Sequence, residues 1–408
     1  MNIEHVRSFF PGLESPWIFM DNAGGSQIAS PVTDRIFELY RTSYVQLGAS
    51  YQPSRIATGR VEESQVRMAE FIGASDPNEV IMGSSTSLLL RILSLNLGQV
   101  LPKGSEIIVT NCDHEANIGS WRELAKVGMI IKTWSINPDT LTLDLADLGR
   151  LLTRQTRLVA FTHASNILGT VNPVKEITRM AHSHGALVCV DGVAYAPHRM
   201  IDVAAWDVDF YVFSFYKTFG PHYAMLYGKK SILLDLPGNN HYFIGKDQSP
   251  YKFQPGNVNF EFAWGMTGLP EYYDALYRFG ISGDQAADFR SRYARVSEMI
   301  RQHEQELSGK VLEYLKSKPK VRVIGQPTAS ESRVPTISFV EEGTDSESIV
   351  LKMDEHKIGI RFGDFYAKKL ISDLGLEPQN GVVRISMVHY NTLEEAEKLI
   401  LALDKILK

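Results

Sequence analysis

ALVCVDGVAYAPHRMIDVAAWDVDFYVFSFYKTFGPH, residues 186–222, is the stretch whose reading decides the fold. It holds two apolar, β-rich runs, ALVCVD and DFYVFS. The first ends in a carboxylate, Asp191, and the second leads into a lysine, Lys217. The same kind of run recurs outward in both directions: EVIMG (79–83), SEIIVT (105–110), MIIKTWSI (129–136), TRLVAFT (156–162) and AMLYG (224–228), with longer helix-like segments between. That alternation predicts a parallel or mixed sheet covered by helices on both faces. The fold class is therefore α/β, with a large domain built on seven mostly parallel strands. In such sheets ligands sit beyond the carboxyl ends of the strands, so the residues directly after each run are where chemistry is expected.

Segment 241–265 is rich in Gly, Pro and Asn and reads as a long loop, of the kind that usually carries function. A helical stretch over roughly 269–316 leads to a smaller unit that repeats the strand and helix alternation: VRVIG (321–325), TISFV (336–340), a helix near 345–356, IGIRF (358–362), VVRISMV (382–388) and a last helix from Thr392. Thr392 followed by Glu395 is a capping box. This places a large domain at 15–265 and a smaller C-terminal α/β domain at 266–408, joined by residues 1–14.

Composition narrows the function classes. With 44% hydrophobic and 22% charged residues the chain is globular rather than disordered, and 42 basic against 47 acidic residues give no electrostatic reason to expect nucleic acid. No stretch approaches the roughly 18 apolar residues that span a bilayer, the N-terminus lacks a signal-peptide pattern, and no membrane partner is expected. Cys112 and Cys189 are the two cysteines, too few for a disulfide framework, so a reducing, cytoplasmic setting is expected. Metal-binding, phosphate-loop, dinucleotide and hydrolase signatures are absent, so no metal is expected.

Lys217 lies in SFYKTFGPH, where the end of an apolar strand would lower its amine pKa and make it a Schiff-base nucleophile and a base. The alternative is a lysine whose stem covers apolar surface. Asp191 either caps the next helix or faces a cationic partner, since burial alone would be costly. Together the two match what a pyridoxal phosphate (PLP) enzyme needs, a lysine for the aldehyde and an acid for the pyridine nitrogen. GSSTS (83–87) offers a phosphate site at a helix start, or plain N-capping. His114 in TNCDHEAN could lie on the ring and Asn166 in THASNILGT could donate to its oxygen. A surface histidine and a turn asparagine are their plainer readings.

Across FMDNAGGSQIASPV (19–32), DHEAN, ASNILGTVNPV, VDGVAYAPH, FYVFSFYKTFGPH and VRISMVHYNT, the sequence resembles the class V aminotransferase family of fold-type I PLP enzymes, close to its cysteine desulfurase-like branch. The resemblance implies that Lys217 carries PLP and moves the substrate Cα proton. By the same resemblance Asp191 pairs with the ring nitrogen, His114 and Val193 cover the two ring faces, and Asn166 bonds the ring oxygen. Ser85, Thr86, Ser214 and Tyr216 would hold the phosphate, Tyr216 standing where desulfurases usually have histidine. Asn257 in PGNVN would reach the phosphate of a neighbouring subunit, which implies a homodimer with its active site at the interface. Arg384, with Arg361 as a second candidate, would bind the substrate carboxylate.

Two departures from the family pattern bear on the reaction. The loop after IGIRF reads GDFYA, with Tyr366 at or near the position of the desulfurase nucleophilic cysteine, and Ala194 stands where Gln or His usually contacts the ring oxygen. The expected function is a PLP enzyme that removes the Cα proton of an amino acid, then transaminates or eliminates a β-substituent, without forming a persulfide. A decarboxylative or carbon–carbon bond-forming enzyme, an epimerase and, remotely, a non-catalytic scaffold are the alternatives. Tyr51, Phe365 and Tyr366 would supply an aromatic wall, or plain packing.

Overall fold

The computed structural model describes residues 1–281 and 288–407. Eight strands precede residue 229: β1 (Ile18–Phe19), β2 (Val80–Gly83), β3 (Glu106–Thr110), β4 (Ile130–Trp134), β5 (Thr156–Thr162), β6 (Leu187–Asp191), β7 (Phe210–Ser214) and β8 (Ala224–Gly228). All but β1 form one sheet in the order β2-β8-β7-β6-β5-β3-β4. β8 runs antiparallel to both neighbours and the remaining pairs are parallel, giving the expected seven-stranded, mostly parallel sheet.

The runs are continuously apolar because both faces of the sheet are covered. Val159, Phe161, Val188, Val190, Tyr211 and Phe213 pack into one core layer. Leu158, Ala160, Cys189, Phe210 and Val212, which alternate with them along the same strands, pack into the other. A strand buried on both faces has no polar alternation to show. Each such fully buried aliphatic or aromatic side chain contributes about 1.5–3 kcal/mol.

Five strands follow: β9 (Val321–Ile324), β10 (Thr336–Glu341), β11 (Ile358–Gly359), β12 (Arg361–Gly363) and β13 (Val382–Ser386). β12-β13-β10-β9 form an antiparallel sheet, while β11 pairs with β1. The run IGIRF is thus split between two sheets at buried Ile360. β1 carries FMDNAGG alongside the smaller sheet, where Asp21 bridges to Ser386 at the end of β13. Arg361 and Arg384 face each other across the β12–β13 ladder.

Two expectations for the segments between the sheets change. Within 241–265, Tyr251–Phe253 is a 3-10 turn and a helix runs from Phe260 to Met266, so the loop ends earlier than its Gly, Pro and Asn content implies. That helix is held by tertiary contacts. The Trp264 ring lies 5.0 Å from the Arg35 guanidinium and 5.2 Å from that of Arg60, and Trp264 Nε1 donates to Glu38 at 3.0 Å. The helical stretch expected over 269–316 comprises helices Gly268–Gly280 and Phe289–Lys316, with residues 282–287 outside the described residues. The capping box at Thr392 and Glu395 starts the helix Leu393–Ile406 as expected. Among the described residues, no helix is long and apolar enough to cross a membrane.

Candidate active site

The carboxyl ends of β2, β5, β6 and β7 converge on one cavity, and nine of the residues singled out from the sequence line it. Asp191 ends β6 and is almost completely buried. Its Oδ1 accepts a hydrogen bond from Val193 N–H at 2.9 Å, and its other oxygen has no donor among the described residues. Burial pushes the Asp191 carboxyl up to about 6, against the pull of the Val193 N–H and the charge on Lys217.

Lys217 closes a 3-10 turn, Phe215–Lys217, that follows β7 directly. Ser26 N–H donates to Tyr216 O at 2.9 Å, and Phe219 N–H donates to Ser26 Oγ at 2.9 Å, so the N-terminal segment fixes this turn. Phe219 sits at φ 60°. Lys217 is 7% exposed, makes no hydrogen bond among the described residues, and its Nζ lies 5.6 Å from the centre of the Tyr216 ring. Burial first, then the charge of Arg384, lowers its pKa to about 8, with Asp191 and Asp21 acting in the other direction. A buried amine with no partner beside a carboxylate with one unoccupied oxygen is an arrangement built for a third group.

Hydroxyls line the wall between β2 and β7. Ser85 caps the helix Thr86–Val100, its side chain accepting from Leu88 N–H at 3.2 Å, so the capping alternative holds for that residue. Thr86 Oγ1 and Ser214 Oγ lie 2.6 Å apart, joining the helix start to the end of β7. Tyr216 stacks on His222 with ring centres 4.8 Å apart and lines the cavity.

His114 caps the helix Glu115–Arg122 by accepting Ala116 N–H at its Nδ1, 3.0 Å away. Burial, and then the charges of Lys217 and Arg384, lower it to about 4, so it is neutral at physiological pH. A neutral imidazole fixed in this way presents a flat face rather than a proton donor in equilibrium with solvent. Val193 and Ala194 line the same cavity, and the small Ala194 leaves room beside Asn166.

Five of the expected residues stand apart from this cavity. Arg384 is 2% exposed and lies behind Asn166, its Nη1 donating to Asn166 O at 3.3 Å and its Nη2 to Asp21 Oδ1 at 2.9 Å. Phe365 covers the guanidinium with its ring centre 3.7 Å away, and Arg384 Nε has no partner. Arg361, the exposed cross-strand neighbour, is 3.6 Å from Asp21 Oδ2. Tyr366 is 70% exposed and tilted 5.2 Å from His114. Asn257 lines a separate depression with Tyr44, Gln46 and Glu261. Tyr51 is half-exposed at the start of the helix Gln52–Ile72 and makes no ring contact with Phe365 or Tyr366 among the described residues.

The loop GDFYA is pinned over the cavity mouth. Asn166 Nδ2 donates to Phe365 O at 2.9 Å and Glu115 N–H donates to Tyr366 O at 2.7 Å. Phe365 and Tyr366 both take left-handed backbone angles, φ 50° and 58°, unusual for aromatic residues. Cys112 and Cys189 are buried in the large sheet, and burial raises both thiols above their ordinary pKa.

Sequence reading passed over Asp21 and Asp113. Each follows or abuts an apolar run, IFM and SEIIVT respectively, and that was the available signal. The residues gathered here fit PLP: a buried amine for its aldehyde, a carboxylate for its ring nitrogen, a flat imidazole, and for its phosphate the hydroxyls of Ser85 and Thr86 at a helix start with those of Ser214 and Tyr216 at the end of β7.

Comparison with known proteins agrees with this arrangement. The Aminotransferase class-V family model matches residues 18–399. The chain is 42% identical over 418 residues to "Aminotransferase-like protein FGM3" of Gibberella zeae, covering 100% of this chain and 98% of that protein. It is 32% identical over 426 residues to a "Cysteine desulfurase" of Serratia proteamaculans, with 100% and 98% covered. Among solved structures, the apo cysteine desulfurase of Thermococcus onnurineus superimposes with a TM-score of 0.86 at 26% identity, covering 99% of this chain and 98% of that one.

Proposed function

This chain belongs to the aminotransferase class V family of PLP-dependent enzymes, and we propose that it acts at the Cα of an amino acid with Lys217 as the base, followed by transamination or loss of a β-substituent. The observation that carries the reading is the unpartnered, buried amine of Lys217 lining the same cavity as Asp191, whose second oxygen has no donor among the described residues. When bound, PLP supplies the electron sink that loosens bonds at Cα.

The side chains then divide the work. Lys217, lowered to about 8, offers neutral amine close to physiological pH and can take and return the Cα proton. Asp191 would hold a proton on the ring nitrogen of the bound cofactor, His114 and Val193 would cover its two faces, and Asn166, now donating to Phe365 O, would also serve the ring oxygen. Ser85, Thr86, Ser214 and Tyr216 would donate to the phosphate. Arg384 takes the substrate carboxylate by exchanging Asp21 for it, a task suited to a planar two-donor group, with Arg361 assisting from across the ladder. Phe365 and Tyr366 screen the site from water.

Persulfide formation is not part of this proposal. It needs a thiolate at the loop, where this chain has Tyr366, and its two cysteines are buried in the sheet with raised pKa values. We extend the reading to a homodimer. Phe37, Tyr40, Tyr44 and Tyr51 are large exposed apolar side chains, and Asn257 lies beside Tyr44, positioned to serve a neighbouring copy's phosphate site.

The test is turnover by the PLP-loaded protein across a panel of L- and D-amino acids including cysteine. A keto acid with pyridoxamine phosphate identifies a transaminase, and pyruvate with ammonia identifies a β-lyase. Inverted chirality as the sole change, or carbon dioxide release, would replace the proposed reaction with an alternative. Failure to turn over any amino acid would overturn it.

A further inference from the structure

Asp113 is a buried acid that the proposed chemistry leaves unused. It follows β3, is 1% exposed, and sits one residue before His114. Its Oδ1 accepts from Thr162 N–H at 2.8 Å and its Oδ2 accepts from Asn117 Nδ2 at 2.8 Å. Asn117 is itself fixed by Trp121 Nε1, which donates to Asn117 Oδ1 at 3.0 Å. Thr162 is the residue registered against Asp191 across the β5–β6 ladder. The Asp113 carboxylate therefore ties the turn carrying His114 to the strand end beside Asp191.

A buried carboxylate is costly unless a cation pairs with it, and Asp113 makes no ion pair among the described residues. Both of its oxygens face donors, the pattern that suits an anion rather than a neutral acid. Burial and the nearby Asp191 charge push Asp113 up to about 7, while Asn117, Thr110 and Thr162 N–H pull it back. The other ionisable groups near the two acids are Cys112, Cys189 on β6, Tyr211 on β7, Tyr216 and Lys217 on the turn after β7, and His114 and His163, both held neutral by burial. Lys217 is the one cation in that set, so Asp113 adds negative potential behind the end of the site where Asp191 meets the ring nitrogen.

We propose that Asp113 is a positioning residue for the PLP site: it fixes His114 through the turn and, as a second negative charge behind Asp191, keeps positive charge favoured on the bound cofactor. This deepens the reading of Lys217 and Asp191 as PLP ligands and rests on it. Two buried negative charges at one strand end favour a protonated ring system, and removing one makes protonation harder.

The test is a pH titration of the visible absorbance of the PLP-loaded protein, parent against Asp113→Asn, with Trp121→Phe as the variant that loosens the tie through Asn117 Oδ1 but leaves both donors on the Asp113 carboxylate. The expected result is a midpoint lowered by about half a unit or more in Asp113→Asn, and a midpoint within about 0.2 unit of the parent in Trp121→Phe. If Asp113→Asn does not fold, Asp113→Ser, with room for a water between Thr162 and Asn117, carries the same comparison. A folded, PLP-loaded Asp113 variant whose midpoint matches the parent would overturn the proposal. A parent protein that shows no visible band with PLP would instead overturn the underlying site reading.

Discussion

Replacing Lys217 by methionine is expected to stabilise the cofactor-free protein while abolishing capture of PLP. The amine is buried, and its pKa is lowered from 10.5 to about 8, chiefly by desolvation. A base whose folded pKa is depressed loses stability as pH falls from its unfolded pKa to its folded one, and below the folded pKa the whole penalty is present. The gap of about 2.5 units corresponds to roughly 3 kcal/mol at pH 7. Methionine has a similar length and carries no charge, so Lys217→Met removes that penalty while filling nearly the same space. The assay is urea unfolding of cofactor-free parent and variant at pH 7 and at about pH 10.5. The account expects the variant to be more stable by about 2–3 kcal/mol at the lower pH and nearly equal to the parent at the higher. Groups remote from Lys217 cancel in the difference between the two proteins, whereas Asp191 and His114, which sense its charge, do not. An advantage that is independent of pH, or absent at pH 7, would show that Lys217 is not a desolvated amine and would remove the physical basis for its assignment as base.

Other perturbations separate the remaining parts of the site. Arg384→Ala should raise KM for amino acids at least about tenfold with little change in PLP affinity, because the arginine lies behind Asn166 and not on the cofactor cavity; loss of PLP binding instead would move Arg384 into the cofactor site. The double variant Cys112→Ala, Cys189→Ala should retain turnover of the wild-type substrate within about twofold, though with reduced stability from two small core cavities; abolished turnover with intact folding would return a thiol to the mechanism. Asn257→Ala should weaken PLP retention at concentrations where the protein is dimeric, read by dialysis and absorbance; retention equal to the parent's would place the phosphate contacts within one chain.

Most strands of the large sheet were readable because a strand covered on both faces is an uninterrupted apolar run, whereas the edge strand β4, IIKTW, is partly exposed and carries Lys132. The residues at the strand ends line the cavity for the same reason, since β5, β6 and β7 are parallel and close in register. What local pattern does not carry is pairing across long separations. Asp21 meets Arg384 only because β1 pairs with β11 and Asp21 bridges to Ser386. Asp113 was masked by its neighbour, since DHEAN draws attention to the histidine, whereas the role of the aspartate depends on Thr162 from another strand. Within 241–265 the helix Phe260–Met266 is set by Trp264 packing on Arg35 and Arg60, contacts that no propensity scale contains. Arg361 and Arg384 are each visible as a basic residue on an apolar strand, but their cross-strand pairing, with Asp21 reaching both, emerges only from the fold.

The most direct test of the central claim is to load the protein with PLP, reduce it with borohydride, digest it and locate the modified peptide by mass spectrometry. Reduction converts the lysine–cofactor linkage into a stable amine, so the label records which lysine the cofactor occupies. The account predicts the pyridoxyl phosphate mass on the peptide that contains Lys217 and on no other. A label on a different lysine, or none at all after loading, would contradict it.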